Sequence, residues 1–238
     1  PGTATWAAAQ AYATLDTLTL LDANTALRSL ALEFAAANNR MARMHYEAAD
    51  VRTKLTDMPP ADLVIASYVI GELDAAARTT LAATLWSRTR DTLLVIEPGT
   101  PAGYARIIAV RTQLIAQGAH VIAPCPHDGA CPLTAPDWCH FTQRLARSRA
   151  HKHLKNAELP FEDEKFSYVA LSRSPSPRHP ARVLAQPLVT KVAVTAKLCT
   201  DDGLSIATIA RRDKSAYARY RKFDWGDAVF DSEAPRAE

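Results

Sequence analysis

DLVIASYVI, residues 62–70, is the stretch that decides the fold. A run this short and this apolar reads as a strand buried on both faces. Asp74 follows and caps a helix in which Ala77, Leu81 and Leu85 recur every four residues. Residues 92–96, TLLVI, repeat the strand pattern, EPGTPAG at 97–103 makes a turn, and a helix over 104–117 closes at Gly118. Strands alternating with helices, each strand a continuous apolar run, predict an α/β fold with a parallel sheet covered on both faces. Such sheets take ligands outside the carboxyl ends of their strands.

Upstream the same alternation continues. Residues 6–15 are alanine-rich and favour a helix. LTLL, ending at Asp22, reads as a buried strand. Residues 25–38 form a helix with Leu27, Leu30, Ala31 and Phe34 on one face, and residues 44–48 a strand before Asp50. Downstream the pattern breaks. We expect a basic helix over 137–149, an acidic turn FEDE at 161–164, a strand over 165–173 and a linker SPSPRHP at 174–180. Residues 189–210 alternate as a hairpin turning at Asp202-Gly203. The predicted domains are 1–120, 121–174 and 175–238.

At 238 residues and 48% hydrophobic content, the chain has ample material for a core, which excludes a disordered tail. Its longest apolar runs are far too short for a bilayer. The net charge of +3 is unevenly spread. Residues 140–155 carry five Arg or Lys and three His with no acid, and Arg211, Arg212, Lys214, Arg219, Arg221 and Lys222 stand against Asp213 alone. Interleaved with Tyr217, Tyr220, Phe223 and Trp225, such runs suit a phosphate backbone with stacking platforms. The RNA-contact candidates are Arg144, Arg147, Arg149, Lys152, Arg211, Arg212 and Lys214. The plainer reading of each run is a solvated helix face.

The break in the pattern coincides with the cysteines. Cys125, Cys131 and Cys139 fall within 15 residues, in APCPHDGACPLTAPDWC, and Cys199 stands alone. Pro124, Pro126, Pro132 and Gly129 hold the first two thiols in an irregular loop. Four thiolates around one centre are the ligand set of a structural zinc or an iron–sulfur cluster. Two disulfides and plain buried thiols are the alternatives, the former disfavoured because no segment resembles a signal peptide. Structural zinc usually shows paired C-x2-C knuckles, and their absence tilts the choice to a cluster. Acids at predicted strand ends suggest an adenosine-type ligand, since Asp22 lies twenty residues after Gly2, the spacing of a ribose-binding acid. The cofactor candidates are Gly2, Asp22, Asp50 and Ser67; Tyr68 and Glu97 stand at neighbouring strand ends.

These residues carry a family resemblance. PGTATWA looks like the end of the glycine-rich first motif of S-adenosylmethionine-dependent methyltransferases. DLVIASYVIGEL, LLVIEPGTPAGY, APCPHDGACPL, DWCHFTQRL, EDEKFSYVALSR and RKFDWGD resemble the methyltransferase-like assembly factors of the mitochondrial small ribosomal subunit and their bacterial relatives. The resemblance implies a Rossmann-like methyltransferase fold, S-adenosylmethionine as cofactor, and a 4Fe-4S cluster on Cys125, Cys131, Cys139 and Cys199. It also implies association with small-subunit ribosomal RNA. The chain opens at Pro1, so we expect the natural protein to extend upstream, a first strand to be missing from the sheet, and this piece to bind S-adenosylmethionine weakly.

Catalysis is less legible. The Asn/Asp-Pro-Pro-aromatic motif that holds an exocyclic amine would follow the strand at 62–67, where the chain reads Ser67-Tyr68-Val69-Ile70. Pro124-Cys125 superficially resembles a cytosine-C5 nucleophile but follows a different strand. His127 and His140 read as neighbours of the cysteine centre or of RNA. Two classes remain, a binding protein that clamps maturing RNA and an active RNA methyltransferase, with a zinc-stabilised nucleic-acid module as the third. Free thiols point to a reducing compartment, either bacterial cytoplasm or mitochondrial matrix.

Overall fold

A computed structural model describes residues 2–230. The chain forms two compact units. One comprises the residues up to Ala61 with Ala75–Arg90, the other Asp62–Asp74 with the described residues from Asp91 onward.

The first unit begins with α1 (Thr3–Ala11), after Gly2 in a left-handed conformation at φ 77°. Strands β1 (Thr19–Leu21) and β2 (His45–Glu47) pair in parallel, Thr19 with His45 and Leu21 with Glu47. The crossover between them is α2 (Thr25–Ala36), whose first turn is capped by the Asn24 side chain accepting from the Ala26 and Leu27 N–H groups. Ala31 and Ala35 of α2 pack on Leu18, Met41, Met44 and Tyr46. The predicted apolar face is therefore corrected. Leu30 and Phe34 stand 38% and 51% exposed, while the alanine row one step round the helix is fully covered. The short alanine row lets the helix axis approach the strands more closely than leucine and phenylalanine would. Asp50 caps the single turn α3 (Val51–Lys54). Helix α4 (Ala75–Ser87) starts directly after Asp74 and buries Leu81, Ala82, Leu85 and Trp86.

The second unit holds β3 (Ala61–Ser67) from Asp62, β4 (Thr89–Pro98) from Asp91, then α5 (Pro101–Ile115) and β5 (His120–Ala123) in chain order. After an irregular loop come β6 (Phe141–Ala146), α6 (Arg149–Leu154) and β7 (Phe161–Ser172). The sheet order is β3-β4-β7-β5, with β6 also on β7. β7 runs antiparallel to both β4 and β5. Those two strands therefore run the same way, joined by α5, with the last strand slotted between them. Leu93 faces Leu171 and Val95 faces Val169, all fully buried.

The predicted basic helix and acidic turn are both strand. β6 pairs with the first half of β7, setting Arg144 opposite Asp163 and Leu145 opposite Glu162. The two segments carry opposite charge, so cross-strand pairing satisfies both, and a reading of either alone misses it. A helix forms only from Arg149, where the Ser148 hydroxyl accepts from the His151 N–H.

The expected C-terminal hairpin is the centre of a larger sheet. Strands β8 (Ala181–Val183), β9 (Leu188–Val189), β10 (Ala193–Thr200), β11 (Gly203–Ala210) and β12 (Ala228–Val229) take the order β11-β10-β8-β12, with β9 on β10. Helix α7 (Lys214–Tyr220) seats Tyr220 against Val183, Val194, Leu198 and Val229. The hairpin turn is Asp201–Asp202, one residue earlier than predicted, and Gly203 opens β11 at φ 120°. Strands of two or three residues carry too little periodicity to be read in advance. Among the described residues no helix is long and apolar enough to cross a membrane.

Candidate metal centre

The loop between β5 and β6 has no regular structure, yet side chains hold it at many points. Asp128 accepts from the Val121 N–H at 2.7 Å, sits 3.2 Å from His120 Nδ1 and pairs with Arg178. Arg111 of α5 donates from Nη2 to the His127 and Gly129 carbonyls at 2.7 and 2.8 Å. Arg182 of β8 donates to the Pro124 carbonyl at 2.9 Å, and the Ser167 hydroxyl to the Cys139 carbonyl at 2.8 Å. Lys197 of β10 pairs with Asp137. Trp138 donates to the Gly99 carbonyl at 3.0 Å and stacks on His140.

Within this frame Cys125, Cys131 and Cys139 line one cavity of about 20 Å³, together with Tyr104, Ile107, Arg111 and Tyr168. The Tyr104 hydroxyl donates to Cys131 Sγ at 3.2 Å. Cys199, next to last in β10, is buried with Sγ 3.7 Å from His127 Nε2. All four cysteines are free thiols, so the disulfide alternative is not what this structure shows.

Burial pushes the Cys125 thiol up, opposed by the nearby Arg111 guanidinium and reinforced by Cys131. Cys139 is raised well above its ordinary value, by burial first and then by Cys125, Cys131 and Cys199. Burial, Cys125 and Cys131 raise Cys199 to about 12. Cys125, Cys139 and Cys199 are thus close enough to neighbouring sulfurs for those to oppose their ionisation. At neutral pH Cys199 is a neutral thiol, and only a strongly positive centre would draw out its proton.

Among the described residues no set of three or more Cys, His, Asp or Glu is drawn to the spacing of a metal-ion site. The donor chemistry nevertheless fits a thiolate-bound group. Three soft sulfur donors line one cavity, Cys199 acts on Cys139 from β10, and the Nε of Arg111, which borders the same cavity, is buried without a hydrogen-bond partner.

The cofactor candidates have local partners. Gly2 precedes α1, and a side chain there would meet Leu20 at 3.2 Å. Asp22 follows β1 and accepts from the Asn24 N–H at 2.8 Å. Asp50 follows β2 and pairs with Arg52, which with the Arg52 N–H lowers its carboxyl to about 2. These three lie in the first unit, and Ser67, the last residue of β3, lies in the second. Tyr68, just beyond it, holds a left-handed backbone at φ 58°.

Of the RNA candidates, Arg144 is already held by Asp163 at 2.7 and 2.9 Å and lies over the Phe161 ring. Arg147 pairs with Glu162 at 3.1 Å. Arg149 is exposed and Lys152 half-buried on α6; Arg211, Arg212 and Lys214 are exposed at the start of α7. Sequence reasoning missed Tyr104, Arg111 and Arg182. A signal existed for Arg111, which sits on the apolar row of α5 with Ile107 and Leu114.

A family model described as "Mitochondrial small ribosomal subunit Rsm22" matches residues 1–230. The chain belongs to the Rsm22 family. It is 29% identical to the human "Ribosome assembly protein METTL17, mitochondrial" over 253 residues, covering 96% of this chain and 53% of that protein. It is 27% identical to "Rsm22-cox11 tandem protein 2, mitochondrial" of Schizosaccharomyces pombe, over 57% of this chain and 24% of the relative. The chain thus spans about half the length of the human relative, and less of the yeast one. Among solved structures, a putative methyltransferase from Thermoplasma acidophilum aligns at TM-score 0.43 and 11% identity, over 74% of this chain and 64% of that one. The magnesium protoporphyrin IX methyltransferase of Synechocystis PCC 6803 aligns at 0.41 and 11%, over 66% and 59%. Both alignments are loose, and the fold description rests on the strand order itself.

Proposed function

We propose that this chain is a methyltransferase-like assembly factor of the small ribosomal subunit, one that binds ribosomal RNA and uses a metal centre for structure. Family membership and the printed name of the human relative support the ribosome-assembly role. The observation that carries the metal centre is the gathering of Cys125, Cys131 and Cys139 on one cavity, with Cys199 coupled to them.

In this reading the four cysteines hold an iron–sulfur cluster, the resemblance favouring 4Fe-4S over zinc. Bound there, the group would supply a covalent-strength tie between the loop and β10. The residues themselves do the rest. Arg111, Arg182 and Asp128 set the loop, Tyr104 orients Cys131, and Lys197–Asp137 holds β10 to the loop's far end. Exposed Arg211, Arg212 and Lys214, with Arg149 and Lys152, would meet RNA phosphates. Gly2, Asp22, Asp50 and Ser67 remain the proposed S-adenosylmethionine contacts.

Binding rather than methyl transfer is the favoured role, because β3 ends in Ser67 and a left-handed Tyr68 where an amine-holding motif would stand. The mitochondrial names of the relatives favour the matrix over the bacterial cytoplasm. Anaerobic purification tests the centre: iron and acid-labile sulfide in equal amounts, with absorbance near ~400 nm, are expected for a cluster. Zinc alone would overturn it. A methyl mark on small-subunit RNA that depends on this chain would overturn the pure binding role.

A further inference from the structure

Arg111 is 3% exposed, in a row of α5 otherwise given to Ile107, Val110 and Leu114. A buried guanidinium needs compensation, and leaving one uncompensated is strongly destabilising. Its hydrogen-bond partners are two neutral carbonyls, those of His127 and Gly129, and the Cys125 thiol. No carboxylate pairs with it among the described residues, and its Nε has no partner at all. What it faces instead is sulfur, since it borders the cavity lined by Cys125, Cys131 and Cys139. Arg182 stands as a second cation beside the same thiols, acting on Cys125 and Cys139. Before anything binds, this is excess positive charge in a buried place. Once four thiolates surround a cluster core the site is net negative, and the excess becomes a match.

We propose that Arg111 is the built-in counter-charge of the cysteine centre, its Nε donating to sulfur of the bound cluster while Tyr104 donates to Cys131. This rests on the iron–sulfur reading above. Hydrogen bonds to cluster sulfur and nearby positive charge both favour the more negative, reduced state, so they raise the reduction potential. A residue that merely pins the loop would change how much cluster is held. It would leave the potential of whatever cluster remains unchanged.

The test compares the whole chain with Arg111→Lys, Arg111→Gln and Tyr104→Phe, all purified anaerobically. Iron and sulfide per chain are measured, and the one-electron midpoint is read by visible and paramagnetic-resonance titration. Tyr104→Phe should keep its cluster with a more negative midpoint, since only an O–H is lost. Arg111→Lys keeps the charge and should shift the midpoint modestly in the same direction. Arg111→Gln should hold less cluster and show the largest shift. Wild-type midpoints in both Arg111 variants overturn the proposal, whether or not their iron content falls. If the wild-type chain holds zinc without sulfide, the cluster reading fails separately. Competition against a chelator then decides the counter-charge: zinc affinity in Arg111→Gln weaker by ~10-fold or more supports it, and equal affinity overturns it.

Discussion

One carboxylate does much of the work of shaping the cysteine loop. Asp128 bonds the Val121 N–H, Arg178 and His120 from the middle of a segment with no regular structure. Burial acts to raise its pKa, but those three partners prevail and hold it below the usual carboxylate value. The sign follows: the stability it contributes is fully present above the ordinary value near 3.8 and is lost as pH falls through the lower folded value. Asp128→Asn should therefore weaken the metal-free chain at neutral pH, and the two proteins should converge in acid. Urea midpoints measured against pH check this; a gap of constant size would show that charge plays no part. At this scale the sequence was only half legible. The cysteines announce themselves by type, whereas Arg111 and Tyr104 lie in an ordinary-looking helix and gain meaning only when the loop folds against it.

At the scale of elements, legibility follows the range of the interactions. β3, α4, β4 and α5 were readable because each carries its own pattern, an apolar run or a four-residue recurrence. β6 and the first half of β7 were misread because their pairing spans the α6 segment, and their charges make sense only together. The same holds for β8 and β12, three and two residues long: β8 exists because β10 offers an edge, and β12 because β8 then offers the next. Leu198 sits fully buried in that sheet with Val183 and Tyr220. Leu198→Ala should cost about 2–5 kcal/mol by denaturant unfolding. Its neighbour Cys199 behaves differently. Cys199→Ser should leave the metal-free chain about as stable as before, yet lose bound metal and speed amide exchange in β10 and β11 of the loaded protein. Unchanged metal content would remove Cys199 from the ligand set.

For the whole molecule, a net charge of +3 says little until folding has decided which charges stay available. The run at residues 140–155 looked free of acids, but β7 brings Glu162 and Asp163 against it, occupying Arg144, Arg147 and Lys155. The cationic surface that remains in the two basic runs includes Arg149 and Lys152 on α6, Arg211, Arg212 and Lys214 around the start of α7, and Arg221 and Lys222 after it. In the proposed RNA-binding role, affinity measured over a range of salt separates the two groups. Lys152→Ala or Arg212→Ala should lower the slope of log affinity against log salt by about 1 each, the loss of one phosphate contact. Arg144→Ala should leave the slope nearly unchanged, because Asp163 already holds that guanidinium. Asp163→Asn supplies the sharper check: it frees Arg144, so the slope should steepen and binding tighten at low salt. A steeper loss for Arg144→Ala than for Arg212→Ala would mean the ion pair opens on RNA, and would move the interface from α7 to the face of β6.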